Sequence, residues 1–341
     1  MKDNRKALYG FMALALIGIL MYLYVPKKDP GYRQSRLLLD TYVSILVNGS
    51  REKAQPAVKA AFARMSQIEK KLNRYDAKSE ITRINKAAPR PVVVSEDTFR
   101  AVKLSLDYAK LSGGKFDSTV GPLVSLYNLN KKKVPAASKI MKAKRLVDWR
   151  LVRLDESRRT VALAKKGMRL DMGGVAKGFA ADEAYKVLTK FGIKKGLIDT
   201  GSSTLTFNPE NTSRKWRIGI RHPRKDSILS VFEVSNRNVS TSGDYQQYFI
   251  KSGARYHHIL NPQTGRPAKG LISVTIITEK TAAESDILST AVFALGPEAG
   301  FKLVKSLKDT EAVLIDSSGR VKVTNEKLTD LPAKINVKNR K

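Results

Sequence analysis

From Ala7 to Val25 the chain runs for 19 residues without a charge, and this segment constrains its folding more than any other. As a helix, a run of that length just spans a bilayer core of about 30 Å. Tyr9, Tyr22 and Tyr24 lie near its ends, where amphipathic rings favour the membrane interface. Lys2, Arg5 and Lys6 precede it, as in a cleavable signal peptide. However, the run continues into YLYVPKK rather than a small-residue cleavage site, so an uncleaved anchor over residues 1–25 is expected. Its orientation stays open, because Lys27, Lys28, Arg33 and Arg36 follow the span as closely as the basic residues precede it.

The remaining 300-odd residues must then fold as a globular unit. A polar linker is expected over residues 26–36, a folded domain over 37–324 and a basic tail over 325–341. There is no cysteine, which excludes disulfides, zinc–thiolate sites, iron–sulfur clusters and cysteine nucleophiles. Three histidines, His222, His257 and His258, argue against a multi-histidine metal site. The net charge is +32. Solvation, an anionic membrane surface and nucleic acid are competing explanations. The densest basic run, Lys131 to Lys133, lacks the interleaved aromatics of a base-stacking surface, so no specific nucleic-acid binding is expected.

Patterning mixes the two periodicities. Ala54, Val58, Ala61, Met65, Ile68 and Leu72 recur at helical spacing. Phe99–Leu111, Val175–Phe191, Ala282–Leu295 and 298–307 also read as helices. Strands are expected at Leu37–Val47, in a hairpin over 150–164, at GLIDT, WRIGIRHP and SVTIIT, and in a hairpin over Ala312–Thr324. Strands and helices do not alternate regularly, which favours α+β over a doubly wound sheet.

Four segments carry possible chemistry. In Asp171-Met-Gly-Gly-Val-Ala-Lys-Gly178 a carboxylate at a strand end meets a glycine pair and a helix start. Small residues admit a ligand to the backbone, a helix N-terminus favours phosphate, and Lys177 adds a point charge. The spacing is neither a P-loop nor a dinucleotide fingerprint, and a structural turn would read the same. In the next segment, Asp286 and Thr290 stand four apart on one helix face, behind a Thr281/Glu284 capping box. One carboxylate with one hydroxyl suits Mg²⁺, which takes few protein oxygens, although such a pair more often marks an ordinary polar face. The third segment is Ser240-Thr-Ser-Gly-Asp-Tyr245 followed by RYHHILNPQTGRP, which places His257 and His258 before a turn, as a proton acceptor near a loop or as structural residues. Finally, Gly114-Lys-Phe-Asp-Ser-Thr-Val-Gly-Pro-Leu123 offers Asp117 as a hydrogen-bond acceptor, or as a helix-to-loop cap.

Five blocks in sequence order resemble the ApbE family of FAD:protein FMN transferases. They are RYDAKSEITRIN, GKFDSTVGPLVSLY, LDMGGVAKGFAADEA, VSTSGDYQQYF with RYHHILNPQTGRPA, and SVTIIT with AAESDILSTAVFALG. The resemblance spans roughly residues 37–310. It implies a tunnelling-fold-like α+β protein with FAD and Mg²⁺ in a cleft between two subdomains. It also implies an extracytoplasmic domain on the inner membrane and transfer of FMN to Thr or Ser of an acceptor subunit in a redox complex, with AMP released. Mg²⁺-dependent FAD hydrolysis and non-catalytic flavin carriage are the alternatives. By matching position it points to Tyr75, Lys115, Phe116, Asp117, Asp171, Lys177 and Leu260 around FAD. For the metal it points to the Gly174 carbonyl, Asp286 and Thr290, and for activation of the acceptor to His258. Three departures stand out: Leu39 replaces a family methionine, Asn261 an aspartate, and Tyr127 a tryptophan.

Overall fold

Every residue of the strand Leu271–Thr278 is buried, and the fold is organised around it. Its sequence, LISVTIIT, is apolar or β-branched at every position but Ser273, as suits a strand covered on both faces. The computed structural model describes residues 31–127, 129, 131–209, 215–325, 332 and 335. The anchor expected over residues 1–25 lies outside these, as does nearly all of the expected tail. Among the described residues no helix is long and apolar enough to cross a membrane.

The main sheet has eight strands: Tyr32–Leu38, Thr41–Val47, Gly196–Asp199, Ser203–Phe207, Asn238–Gly243, Leu271–Thr278, Thr310–Asp316 and Val321–Val323. Their order in space is their order in sequence, and each neighbouring pair is antiparallel. Helices arrive as insertions between strands, which is the α+β arrangement expected from the irregular alternation.

One face of the sheet is packed by three helices, Arg51–Leu72, Ala176–Lys190 and Ala282–Leu295. Ala54, Ala57 and Ala61 on the first meet a second helix carrying Ala180, Ala181 and Ala184, all fully or nearly buried. Small side chains let the two helices approach closely. The other face is covered by the hairpin Trp216–Arg221 and Ile228–Val234, whose Trp216, Ile218 and Phe232 pack on Val239 and Ile277. A register shift between Leu271 and Ser273 reverses which residues face the helices: Leu271 before it, Val274 and Ile276 after it.

Two sequence expectations are corrected at the start of the domain. Residues 32–36, expected as linker, lie in the edge strand Tyr32–Leu38. The single strand expected over Leu37–Val47 is a hairpin, because Leu39 and Asp40 take left-handed φ values of 56° and 57° and turn the chain in two residues. The other expected elements stand within a few residues of their places, and the helix Ala282–Leu295 carries the capping box of Thr281 and Glu284.

A smaller apolar cluster of Leu123, Tyr127, Ile140, Ala143 and Leu260 sits apart from the main core. Residues of both clusters face the same cleft: Phe116 and Met172 from the core, Leu260 and Val124 from the smaller cluster.

Candidate functional site

The site is built on a turn through Gly173 and Gly174, where a side chain would crowd its neighbours. Asp171 anchors it through three contacts. Its backbone N–H donates to Ser118 O (2.7 Å), its Oδ1 accepts the Gly173 N–H (2.9 Å), and its Oδ2 pairs with Arg74 Nε (2.9 Å). The Met172 carbonyl then accepts the N–H groups of Val175 and Ala176, each at 2.9 Å, starting the helix Ala176–Lys190. A Cβ on Gly174 would lie 3.0 Å from the Phe116 ring and 3.5 Å from Thr290 Oγ1. Residue 174 lines the cleft with no side chain between its backbone and the opening.

One turn further on, the two helices nearly touch. A Cβ on Gly178 would fall 2.2 Å from the Ala282 carbonyl oxygen. That close crossing is held by Asp182, whose two carboxylate oxygens accept the N–H groups of Ala282 and Ala283 at 2.8 and 2.9 Å. It brings Asp286 against the start of the neighbouring helix. Asp286 Oδ2 accepts the Gly178 N–H at 3.2 Å, and its Oδ1 accepts the Ser203 hydroxyl at 3.1 Å. Thr290 Oγ1 lies 3.3 Å from both Ser242 Oγ and the Asp286 carbonyl. Asp286 is only 5% exposed.

On the opposite wall, His258 Nδ1 sits 3.3 Å from the Gln247 carbonyl. A carbonyl only accepts, so Nδ1 carries the proton and Nε2 is left as the basic nitrogen. Burial, and then the nearby Lys177 ammonium, push the imidazole pKa down to about 4. At neutral pH this ring is uncharged and able to take a proton.

All eleven expected site residues line one cleft of about 540 Å³: Tyr75, Lys115, Phe116, Asp117, Asp171, Gly174, Lys177, His258, Leu260, Asp286 and Thr290. Their side chains are not equally available. Asp117 Oδ1 accepts the Thr119 N–H and hydroxyl (2.8 and 2.7 Å), and its Oδ2 accepts the Trp149 N–H (3.0 Å). Its carboxylate therefore ties loops together; burial raises its pKa, and these bonds pull the other way. Lys115 Nζ donates to Gln263 Oε1 at 2.6 Å, fastening the histidine loop to the facing wall. Tyr75 stands exposed at the mouth beneath the Arg74 guanidinium, 4.3 Å from its ring centre. Asn261 does not line the cleft. Its Oδ1 accepts the Gln263 and Thr264 N–H groups (2.9 and 3.3 Å), a turn role that an amide fills as well as a carboxylate.

Sequence reasoning passed over Arg74, Ser203, Ser242 and Gln247. Arg74 lay inside a quoted block, where its charge and its place beside Tyr75 were a usable signal. Ser242 and Gln247 also lie inside a quoted block, but nothing local separates them from its other polar residues; Ser203 lies outside every block and gives no signal.

The sequence profile of the ApbE family matches residues 39–314. The chain belongs to the ApbE family. A curated relative from Treponema pallidum, named FAD:protein FMN transferase, is 30% identical over 313 residues, covering 86% of each chain. One of the same name from Klebsiella pneumoniae is 33% identical over 245 residues, 70% of this chain and 75% of that protein. Among solved structures, the ApbE protein of Thermotoga maritima superposes with a TM-score of 0.82 at 31% identity, covering 89% of this chain and all of that one. The Pseudomonas stutzeri flavinyl transferase ApbE in its apo form gives 0.76 at 25% identity, covering 89% and 98%. The mixed α/β architecture described above is therefore the ApbE architecture.

The family implies a divalent cation, and the donor set fits one. Among the described residues no group of three or more His, Cys, Asp or Glu side chains gathers as a metal centre. A hard cation that keeps waters and takes phosphate oxygens needs less than that: one carboxylate, one hydroxyl and a bare main-chain carbonyl. Asp286, Thr290 and Gly174 meet in the cleft as such a set.

Proposed function

We propose that this protein cleaves FAD in the cleft and attaches the FMN half to a Thr or Ser hydroxyl of an acceptor protein, releasing AMP. The observation that carries this reading is the convergence, in one cleft, of the Gly174 turn, the Asp286/Thr290 face and the neutral His258 imidazole. The names of the relatives support the same reaction.

In this reading Asp286, Thr290 and the Gly174 carbonyl hold Mg²⁺, which when bound neutralises pyrophosphate charge. The Lys177 ammonium and the helix opening after Gly174 offset further negative charge. His258 Nε2 takes the proton of the acceptor hydroxyl as its oxygen bonds to the FMN-side phosphorus. The bond from that phosphorus to the bridging oxygen breaks, and AMP leaves with the bridging oxygen. Phe116, Leu260 and Tyr75 supply apolar and stacking surface for the flavin. We further place the domain on the extracytoplasmic side of the inner membrane, held by the uncharged run Ala7–Val25, with a subunit of a flavin-dependent redox complex as acceptor.

The test mixes full-length protein in neutral detergent with FAD, Mg²⁺ and a candidate acceptor domain, and follows AMP and acceptor mass. Acceptor gaining the mass of FMN, with one AMP per label, is the expected result. AMP and free FMN without labelling would replace transfer by hydrolysis. FAD bound but unchanged would reduce the protein to a flavin carrier.

A further inference from the structure

Arg74 lines not only the flavin cleft but also a second cavity of about 450 Å³. Four of its nine lining residues are basic: Arg74, Lys86, Lys166 and Arg169. None is acidic. Lysine and arginine make up 63 of the 341 residues, so the chain's average would place about two there rather than four. Arg74 is occupied by Asp171. Lys86, Lys166 and Arg169 enter no ion pair among the described residues, although carboxylates elsewhere in the chain pair freely with its cations.

The wall that carries these cations is fixed by main-chain contacts. Asn85 Nδ2 donates to the Leu170 carbonyl at 3.0 Å, and the Leu170 N–H returns to Asn85 Oδ1 at 2.6 Å. The Arg169 carbonyl accepts the Gly121 N–H at 3.2 Å, and a Cβ on Gly121 would lie 2.5 Å from that oxygen. Gly167 turns the chain between Lys166 and Arg169 with φ at 94°. Lys86, Lys166 and Arg169 line one cavity with no carboxylate among its lining residues, and an anion seated there gains charge-assisted hydrogen bonds. A phosphate group, with three or four acceptor oxygens, matches three separate donors better than a single carboxylate does.

We propose that this cavity is a second binding site, distinct from the flavin cleft, for a phosphate-bearing anion. Such a group is carried by a free nucleoside monophosphate and by a phospholipid headgroup. Both present the same phosphate to Lys86, Lys166 and Arg169.

The experiment titrates full-length protein in neutral detergent, saturated with FAD in EDTA so that the cleft is filled and turnover is stopped. Inorganic phosphate, AMP and glycerol phosphate are added in turn and binding heat is recorded. The comparison protein carries Lys86→Ala, Lys166→Ala and Arg169→Ala together, all exposed positions outside the flavin cleft. We expect saturable phosphate binding that weakens by about tenfold or more in the triple variant and falls as salt rises. AMP binding more tightly than phosphate would name the nucleotide as source, and glycerol phosphate doing so would name a headgroup. Equal affinities would support a site for the phosphate alone. Binding that does not saturate, or that the triple variant retains unchanged, would overturn the proposal. FAD affinity is measured in the same samples, so failure of the flavin reading is recorded separately. A Lys86→Arg, Lys166→Arg and Arg169→Lys variant, which keeps the charge, should retain phosphate binding and so excludes misfolding as the cause of loss.

Discussion

The Gly178 backbone N–H donates to Asp286 Oδ2 at 3.2 Å, joining two helices whose residues are 108 positions apart in the chain. One carboxylate thus serves two ends: it satisfies a helix N-terminal donor that would otherwise be buried without a partner, and it faces the cleft.

These two roles separate by mutation. Asp286→Asn keeps an oxygen for Gly178 and removes the charge, so stability should stay within about 1 kcal/mol of the parent. Metal-dependent AMP release should fall by about 100-fold or more. Asp286→Ala loses both roles and should also lower the melting temperature. An Asp286→Asn protein with parental turnover would sink the metal assignment.

Gly178→Ala tests the crossing itself. The added methyl must overlap the Ala282 carbonyl, so the helices must part. Overpacking of this kind costs about 1–3 kcal/mol, read as a shift in the chemical denaturation midpoint at unchanged slope. Turnover should fall as well, because Asp286 and the Gly174 turn move apart together.

His258 sets the pH dependence. Its pKa is pushed down to about 4, first by burial and then by Lys177, so the neutral, proton-accepting ring persists until pH falls to that region. The acid limb of kcat/KM should therefore lie well below the ordinary histidine value of 6.5. Lys177→Gln removes the neighbouring cation, stops disfavouring the protonated ring, and should move the limb upward. The stability sign is the same: between 6.5 and about 4 the unfolded chain binds the proton first, so stability falls as pH falls through that window. His258→Gln should flatten that slope and cut transfer by about 100-fold or more while FAD still binds. An acid limb that ignores both substitutions would remove His258 from the chemistry.

Arg74 acts by positioning. Its guanidinium holds Asp171 at 2.9 Å and covers Tyr75 at the mouth. Arg74→Ala should raise KM for FAD more than it lowers kcat, with a stability loss of about 1–3 kcal/mol from the stranded, partly buried Asp171. Arg74→Lys keeps the charge but loses the planar stacking, and should restore stability better than KM. An unchanged KM in both variants would make the pair purely structural.

Local order was legible in the chain alone. The period of Ala54, Val58, Ala61 and Met65 defines a helix face, LISVTIIT reads as a buried strand, and Thr281 with Glu284 writes a helix start, because each depends on residues a few positions apart. The family blocks likewise marked which residues would meet. Tertiary structure alone decided what their side chains do there. Asp117 reads as a ligand acceptor or a helix-to-loop cap, and its carboxylate is spent on loop hydrogen bonds; Asn261 reads as a departure from a family aspartate, and its amide is spent on a turn. Ser203 lies outside every family block and Ser242 is one polar residue among several in its own, yet they hold Asp286 and Thr290. Nor does any local pattern encode the turn at Leu39 and Asp40, where two ordinary residues take left-handed backbone angles as the Glu69 carboxylate accepts the Leu39 N–H at 2.7 Å. The reason is common to all of these. Periodicity reports which face of an element is buried, whereas the partner of a polar atom is set by segments far away in the chain, 108 residues for Gly178 and Asp286, that meet only once the core has closed.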